Sequence, residues 1–111
     1  MKNDDIIGKV CMFIQDHFAE IQTAEEIAMA IGMNYNTLRI SFVREIGMSL
    51  NNYLMRIRCE QIKNLLSEGE MKLLQIAFEV GLHDEKYLSR MFKKCTGMSP
   101  DEYKQKYMHA S

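Results

Sequence analysis

Proline occurs once, at Pro100, tryptophan not at all, and only six glycines interrupt the 111 residues. With so few breakers, the chain has room for long uninterrupted helices. Cysteine is scarce too. Cys11, Cys59 and Cys95 are an odd number with no CxxC spacing, the nearest two 36 positions apart. That excludes a disulfide framework or a zinc site built from local cysteine motifs, and it suits a reducing compartment. Apolar runs never exceed a few residues, and the start MKNDDIIGKV carries acids where a secretory signal carries bases. The expectation is a soluble intracellular protein with no membrane partner. An excess of one charge is also missing. Fourteen basic residues face fifteen acidic ones for a net charge of −1, whereas nucleic-acid binders are often basic overall. What remains is ordinary globular composition, 47% hydrophobic and 26% charged, in a length that fits one compact domain or two very small ones.

The charge is not evenly spread. Residues 1–34 sum to −4, 35–66 to +3, 67–83 to −2 and 84–111 to +2. Two basic stretches therefore alternate with two acidic ones.

Apolar periodicity is helical throughout, with no alternating strand pattern, so the class is all-α with seven helices. Ile6, Val10, Phe13, Ile14 and Phe18 line one face of the first. Thr23-Ala24-Glu25-Glu26 reads as a capping box opening a short helix with Ile27, Ala28 and Ile31, which stops at Gly32. Asn34 or Asn36 can cap the next, whose face is Leu38, Phe42 and Ile46, and Gly47 ends it. A long helix from Ser49 to about Ser67 follows, with Tyr53, Leu54, Ile57, Ile62 and Leu66 on its apolar face. Then come a short helix with Leu73, Ile76, Ala77 and Val80, and one whose inner face is Leu88, Met91, Phe92 and Cys95. Ser99-Pro100-Asp101-Glu102 caps the last.

An internal repeat organises these elements. Leu38-x3-Phe42-x4-Gly47-Met48-Ser49-x3-Tyr53 recurs fifty positions later as Leu88-x3-Phe92-x4-Gly97-Met98-Ser99-x3-Tyr103. Upstream, Ile27-Ala28-x2-Ile31-Gly32 matches Ile76-Ala77-x2-Val80-Gly81 at offset 49, so the second turn holds one extra residue. Each copy is a short helix, a glycine turn and a second helix, with a small alanine where crossing helices need close approach. That is the grammar of a helix-turn-helix. The division expected is residues 1–48, a linker helix over 49–68, and residues 69–111. The joining helix itself, about residues 50–67, is about 27 Å long, and successive major grooves on one DNA face lie about 34 Å apart.

If each second helix (about 35–46 and 85–96) enters a major groove, a helical wheel identifies the face presented. In the second copy Lys86, Arg90 and Lys94 form an i, i+4, i+8 stripe opposite Leu88 and Phe92, with Lys93 beside it. Stacked cations repel one another, and a polyanion would relieve that cost, although a solvated cationic face is the bland alternative. In the first copy the stripe is Asn36, Ile40 and Arg44, flanked by Thr37 and Arg39. Ile40 is then either a group for a thymine methyl or a residue packed under a loop or against the first helix.

The run GMSLNNYLMRIRCEQIKNLL, and more specifically IAFEVGLHDEKYLSRMFKKCTGMSPDEY, closely resembles the AraC family of bacterial transcription regulators over about residues 5–107. The resemblance implies two helix-turn-helix subdomains bridged by a linker helix and reading adjacent major grooves. By position it carries base contacts to Asn36, Arg39 and Ile40, and to Lys86, Tyr87, Ser89 and Arg90. Thr37, Arg44, Lys93 and Lys94 are the phosphate candidates, with amides at the helix starts near Thr23 and Lys72 as further ones. Ile40 stands where the family often has arginine. The partner implied is double-stranded DNA, with RNA polymerase and an effector or receiver domain outside this chain as further candidates. The expected location is the cytoplasm, at the nucleoid.

Nothing points to an enzyme, a cofactor or a metal. His17, His83 and His109 are isolated, and the acidic pairs Asp4-Asp5, Glu25-Glu26, Asp84-Glu85 and Asp101-Glu102 sit at helix starts, where the dipole favours them. Ten methionines, Met12, Met29 and Met91 among them, suit gap-filling core or partner surface better than metal binding. Two alternatives stay open on residues alone: an all-α protein-interaction adaptor with a cationic face, and an architectural DNA binder without sequence preference.

Overall fold

Seven amphipathic patterns become seven helices in the computed structural model, which describes the backbone of residues 3–107 and the side chains of 6–107. They are α1 (Asn3–His17), α2 (Ala24–Ile31), α3 (Tyr35–Ile46), α4 (Leu50–Glu68), α5 (Leu73–Glu79), α6 (Glu85–Thr96) and α7 (Pro100–Tyr107), with no strand among the described residues. His109 and the side chains of Asp4 and Asp5 lie outside them. The chain forms two compact units, one ending at Ile57 and the other beginning at Arg58, so the division falls within α4.

In the first unit Ile7, Val10 and Ile14 of α1 pack with Ile27 and Ala28 of α2, Leu38 and Phe42 of α3, and Leu50 and Leu54 of α4. Phe42 is fully buried, and the Tyr53 ring meets it edge-on with centroids 5.5 Å apart. The Tyr53 phenol oxygen in turn accepts from Gln15 Nε2 at 3.1 Å, tying α1 to α4.

The second unit repeats the arrangement with its own residues. Cys59, Ile62 and Leu66 of α4 are buried with Ile76 and Ala77 of α5 and Leu88, Met91 and Phe92 of α6. Phe92 is fully buried, and Tyr103 meets it edge-on at 5.4 Å. Edge-to-face pairs of this kind add about 0.5–1.5 kcal/mol beyond area burial.

Capping residues set the helix limits. The Asn34 side chain accepts from the Thr37 amide at 3.1 Å, so Asn34, not Asn36, caps α3. Ser49 Oγ accepts from Asn52 N–H, and Ser99 Oγ from Glu102 N–H, both at 3.1 Å. Glu102 reaches back to the Ser99 amide at 2.8 Å, completing the box at α7. The box expected at Thr23 does not form. Thr23 makes no side-chain cap bond, and Glu26 instead accepts from the Gln22 amide at 3.1 Å, one residue outside the pattern.

The two turns differ as their offsets require. In the first, Gly32 (φ 84°) ends α2, Met33 N–H bonds back to Ala28 O at 3.0 Å, and Asn34 follows as cap. In the second, Gly81 (φ 86°) follows α5, Leu82 N–H bonds back to Ala77 O at 2.8 Å, and His83 intervenes before the cap Asp84. His83 is the inserted residue, and it alone among the described non-glycine residues has positive φ, at 62°. Its ring packs edge-on against Phe78, centroids 5.0 Å apart.

One packing expectation is corrected. Cys95, placed on the inner face of its helix by spacing, is exposed in the last turn of α6. Its thiol still lies within hydrogen-bonding reach of Cys59, whose own thiol is pushed far up by burial and by that neighbour.

Because Phe92 is enclosed while Arg90 is exposed, their truncations should separate stability from surface chemistry. Phe92→Ala should cost about 3–5 kcal/mol of stability, read from the urea midpoint, and Arg90→Ala should stay within about 0.5 kcal/mol. Similar losses for both would contradict this packing.

Candidate nucleic-acid interface

Leu38 and Phe42 are fully buried one turn apart, and so are Leu88 and Phe92. Each pair locks its helix against rotation, so the opposite face must point outward. On α3 that face carries Asn36, Thr37, Arg39, Ile40 and Arg44, all exposed. On α6 it carries Lys86, Tyr87, Arg90, Lys93 and Lys94, also exposed, while Ser89 is half-buried at the edge. The sequence-derived candidates thus fall on one face of each helix, within their own units.

Ile40 resolves an alternative. It is 50% exposed, so it does not pack under a loop or against α1. Val43, which the spacing did not single out, is exposed to 44% in the next turn. The one signal available for it was its place in the repeat, fifty positions before Lys93.

Electrostatics sharpen the contrast between the helices. Among the described residues, the Glu60–Lys63 ion pair at 3.1 Å and the His17 Nδ1–Glu20 Oε1 contact at 3.0 Å involve none of the cations of α6. Lys86, Arg90 and Lys94 therefore keep their charge directed at solvent along one stripe. The Asp84 carboxylate caps the helix by accepting from the Lys86 amide at 3.0 Å, which occupies the anion next to the stripe. At the helix start near Lys72 the Lys72 amide itself donates to Gln75 Oε1 at 2.9 Å. No group of three potential metal ligands gathers among the described residues, and no described helix is long and apolar enough to cross a membrane.

This duplicated geometry has counterparts. The family described as a helix-turn-helix domain matches residues 27–106. The arabinose operon regulatory protein of Escherichia coli K12 is 32% identical over 102 residues, covering 91% of this chain and 35% of that protein. The chain belongs to the AraC-type helix-turn-helix family of transcription regulators. The C-terminal domain of AraT, a response regulator from Geobacillus stearothermophilus, superposes with a TM-score of 0.91 at 31% identity, over 96% of this chain and 88% of that one. The DNA-binding domain of AdpA, solved in complex with a target DNA, shares the fold, with a TM-score of 0.84 at 23% identity over 91% of each chain. The chain spans about a third of the length of the AraC regulator it matches. The AraC-type family is one of transcription regulators, not enzymes, and membership does not favour the adaptor alternative.

The α6 stripe generates a paired expectation. On its best duplex, Arg90→Ala should cost about 1–3 kcal/mol of binding and relax preference at one or two base pairs. Lys94→Ala should weaken all duplexes alike and flatten the log–log salt slope by about one. Fluorescence anisotropy against a matched and a scrambled duplex separates the two effects. Unchanged affinity and preference in Arg90→Ala would mean that this helix presents another face.

Proposed function

We propose that this chain is a sequence-specific double-stranded DNA-binding domain that regulates bacterial transcription, with α3 and α6 entering adjacent major grooves. The carrying observation is that both helices bury a Leu–Phe pair and present the opposite, polar face to solvent, in a chain of AraC type. Arg39, Lys86 and Arg90 donate to purine edges, Asn36 to adenine or phosphate, and Ile40 meets a thymine methyl. Tyr87 and Ser89 border the bases from α6. Thr37, Arg44, Lys93 and Lys94 hold phosphates and set the register. Residues 1–48 and 69–111 act as the two recognition subdomains and residues 49–68 as the linker helix. RNA polymerase and an effector or receiver domain outside this chain are further partners on this reading, and the cytoplasmic nucleoid is the location. An architectural role without sequence preference is the competing outcome of the experiment below.

The net charge of −1 makes the salt response the informative test. If about six phosphates are neutralised, the affinity for a duplex selected from a random library should fall with a log–log slope near −5. The two unlike faces also call for a non-palindromic site bound by one chain. A flat salt response, or no retarded complex at low salt across the library, would end the DNA-binding reading. Full competition by random duplex would leave only an architectural role.

A further inference from the structure

Ile40 and Val43 are i, i+3 neighbours on α3, about 5–6 Å apart at Cβ, and each is about half open to solvent, at 50% and 44%. Single exposed apolar residues are ordinary. A β-branched pair inside an otherwise polar face, flanked by Arg39 and Arg44, is a specific local chemistry. The repeat brings out the contrast, since the positions fifty residues later are Arg90 and Lys93 on α6. The same scaffold therefore presents two methyl-bearing side chains in one copy and two cations in the other. In a helix, valine and isoleucine hold one dominant χ1 rotamer, so their methyl surfaces are pre-set and lose little freedom on contact. The apolar group that the major groove offers is the C5 methyl of thymine. Successive bases on one strand are about 3.4 Å apart along the axis, a spacing that two neighbouring turns of a helix can meet.

We infer that Ile40 and Val43 together form a C5-methyl-reading surface that selects two neighbouring thymines in one of the two boxes, with Val43 as a specificity residue. The inference rests on the DNA-binding reading above and adds to it how the first motif discriminates. The first motif adds methyl contact to the polar groups of Asn36 and Arg39, whereas the second relies on donors to purines. An apolar surface here also disfavours cytosine, which lacks the methyl, without any hydrogen bond to the base.

Uracil tests this directly, because it keeps the pairing edge of thymine and removes only the methyl. The probe is the duplex selected from a random library by the parent chain, with each thymine replaced singly by deoxyuridine and affinity measured by anisotropy. The box belonging to α3 is the one whose base preference survives Arg90→Ala. Two neighbouring thymines in that box should each lose about three- to fivefold in affinity on replacement, the effect of one buried methyl-sized group. Val43→Ala should abolish the sensitivity at one of them and Ile40→Ala at the other. Both side chains are exposed, so these variants should keep the parent's helicity, and the deoxyuridine series on the parent chain needs no variant at all. The inference is overturned if every uracil duplex binds within about 1.5-fold of the parent duplex, if the α3 box lacks neighbouring thymines, or if sensitivity persists unchanged in Val43→Ala. Failure of the parent chain to bind any selected duplex would overturn the DNA-binding reading itself. Retained binding with no response to uracil overturns the methyl-reading pair alone.

Discussion

The burial of one phenylalanine in each unit fixes the rotation of the helix that carries it. Phe42 and Phe92 are fully enclosed, each with a leucine one turn earlier on the same face and a tyrosine ring meeting it edge-on. A helix held by two buried side chains at i and i+4 cannot turn about its axis without exposing an aromatic ring, which costs kilocalories. The outward set of residues is consequently decided by the inward one. Asn36, Ile40 and Arg44 face solvent because Leu38 and Phe42 do not, and Lys86, Arg90 and Lys94 face it because Leu88 and Phe92 do not.

This separation lets the two copies share an interior while their surfaces diverge. The serine caps, the glycines ending α3 and α6, and the Phe–Tyr pairs recur with nearly the same distances. Outside, α6 offers a cationic stripe and α3 a mixture of amide, guanidinium and aliphatic groups. Phosphate attraction is strongest for the first kind of face, and discrimination without charge is available to the second. A near-neutral chain can still carry a strong local positive field, because a stripe of cations and not the sum of charges sets the potential beside it.

Most of the fold was legible because its signals are local. The limits of α3 and α6, the seven helices and the extra residue of the second turn all follow from glycine positions, caps and three-to-four-residue spacing. What spacing could not resolve were competitions between neighbours. Glu26 bonds the Gln22 amide instead of completing a box with Thr23, and Gln75 takes the Lys72 amide at the start of α5. Cys95 has the spacing of a core residue, yet it is exposed in the last turn of α6. Val43 falls outside the i, i+4, i+8 stripe of Asn36, Ile40 and Arg44, so only its solvent exposure brings it onto this face. On the proposed interface, the cationic stripe of α6 was legible from the wheel alone. The exposure of Ile40 was not, since its wheel position was compatible with packing against α1.

The most direct test of the whole account is where DNA touches the chain. Backbone amide resonances of the nitrogen-15-labelled protein, followed as the selected duplex is added, report this residue by residue. The perturbations should gather on residues 34–44 of α3 and its cap and on residues 84–94 of α6 and its cap. The exposed apolar residues Met12, Met29 and Phe78, which lie off those faces, should stay near their free positions. Perturbations centred on Met29 and Phe78, with α3 and α6 silent, would contradict the account at its root.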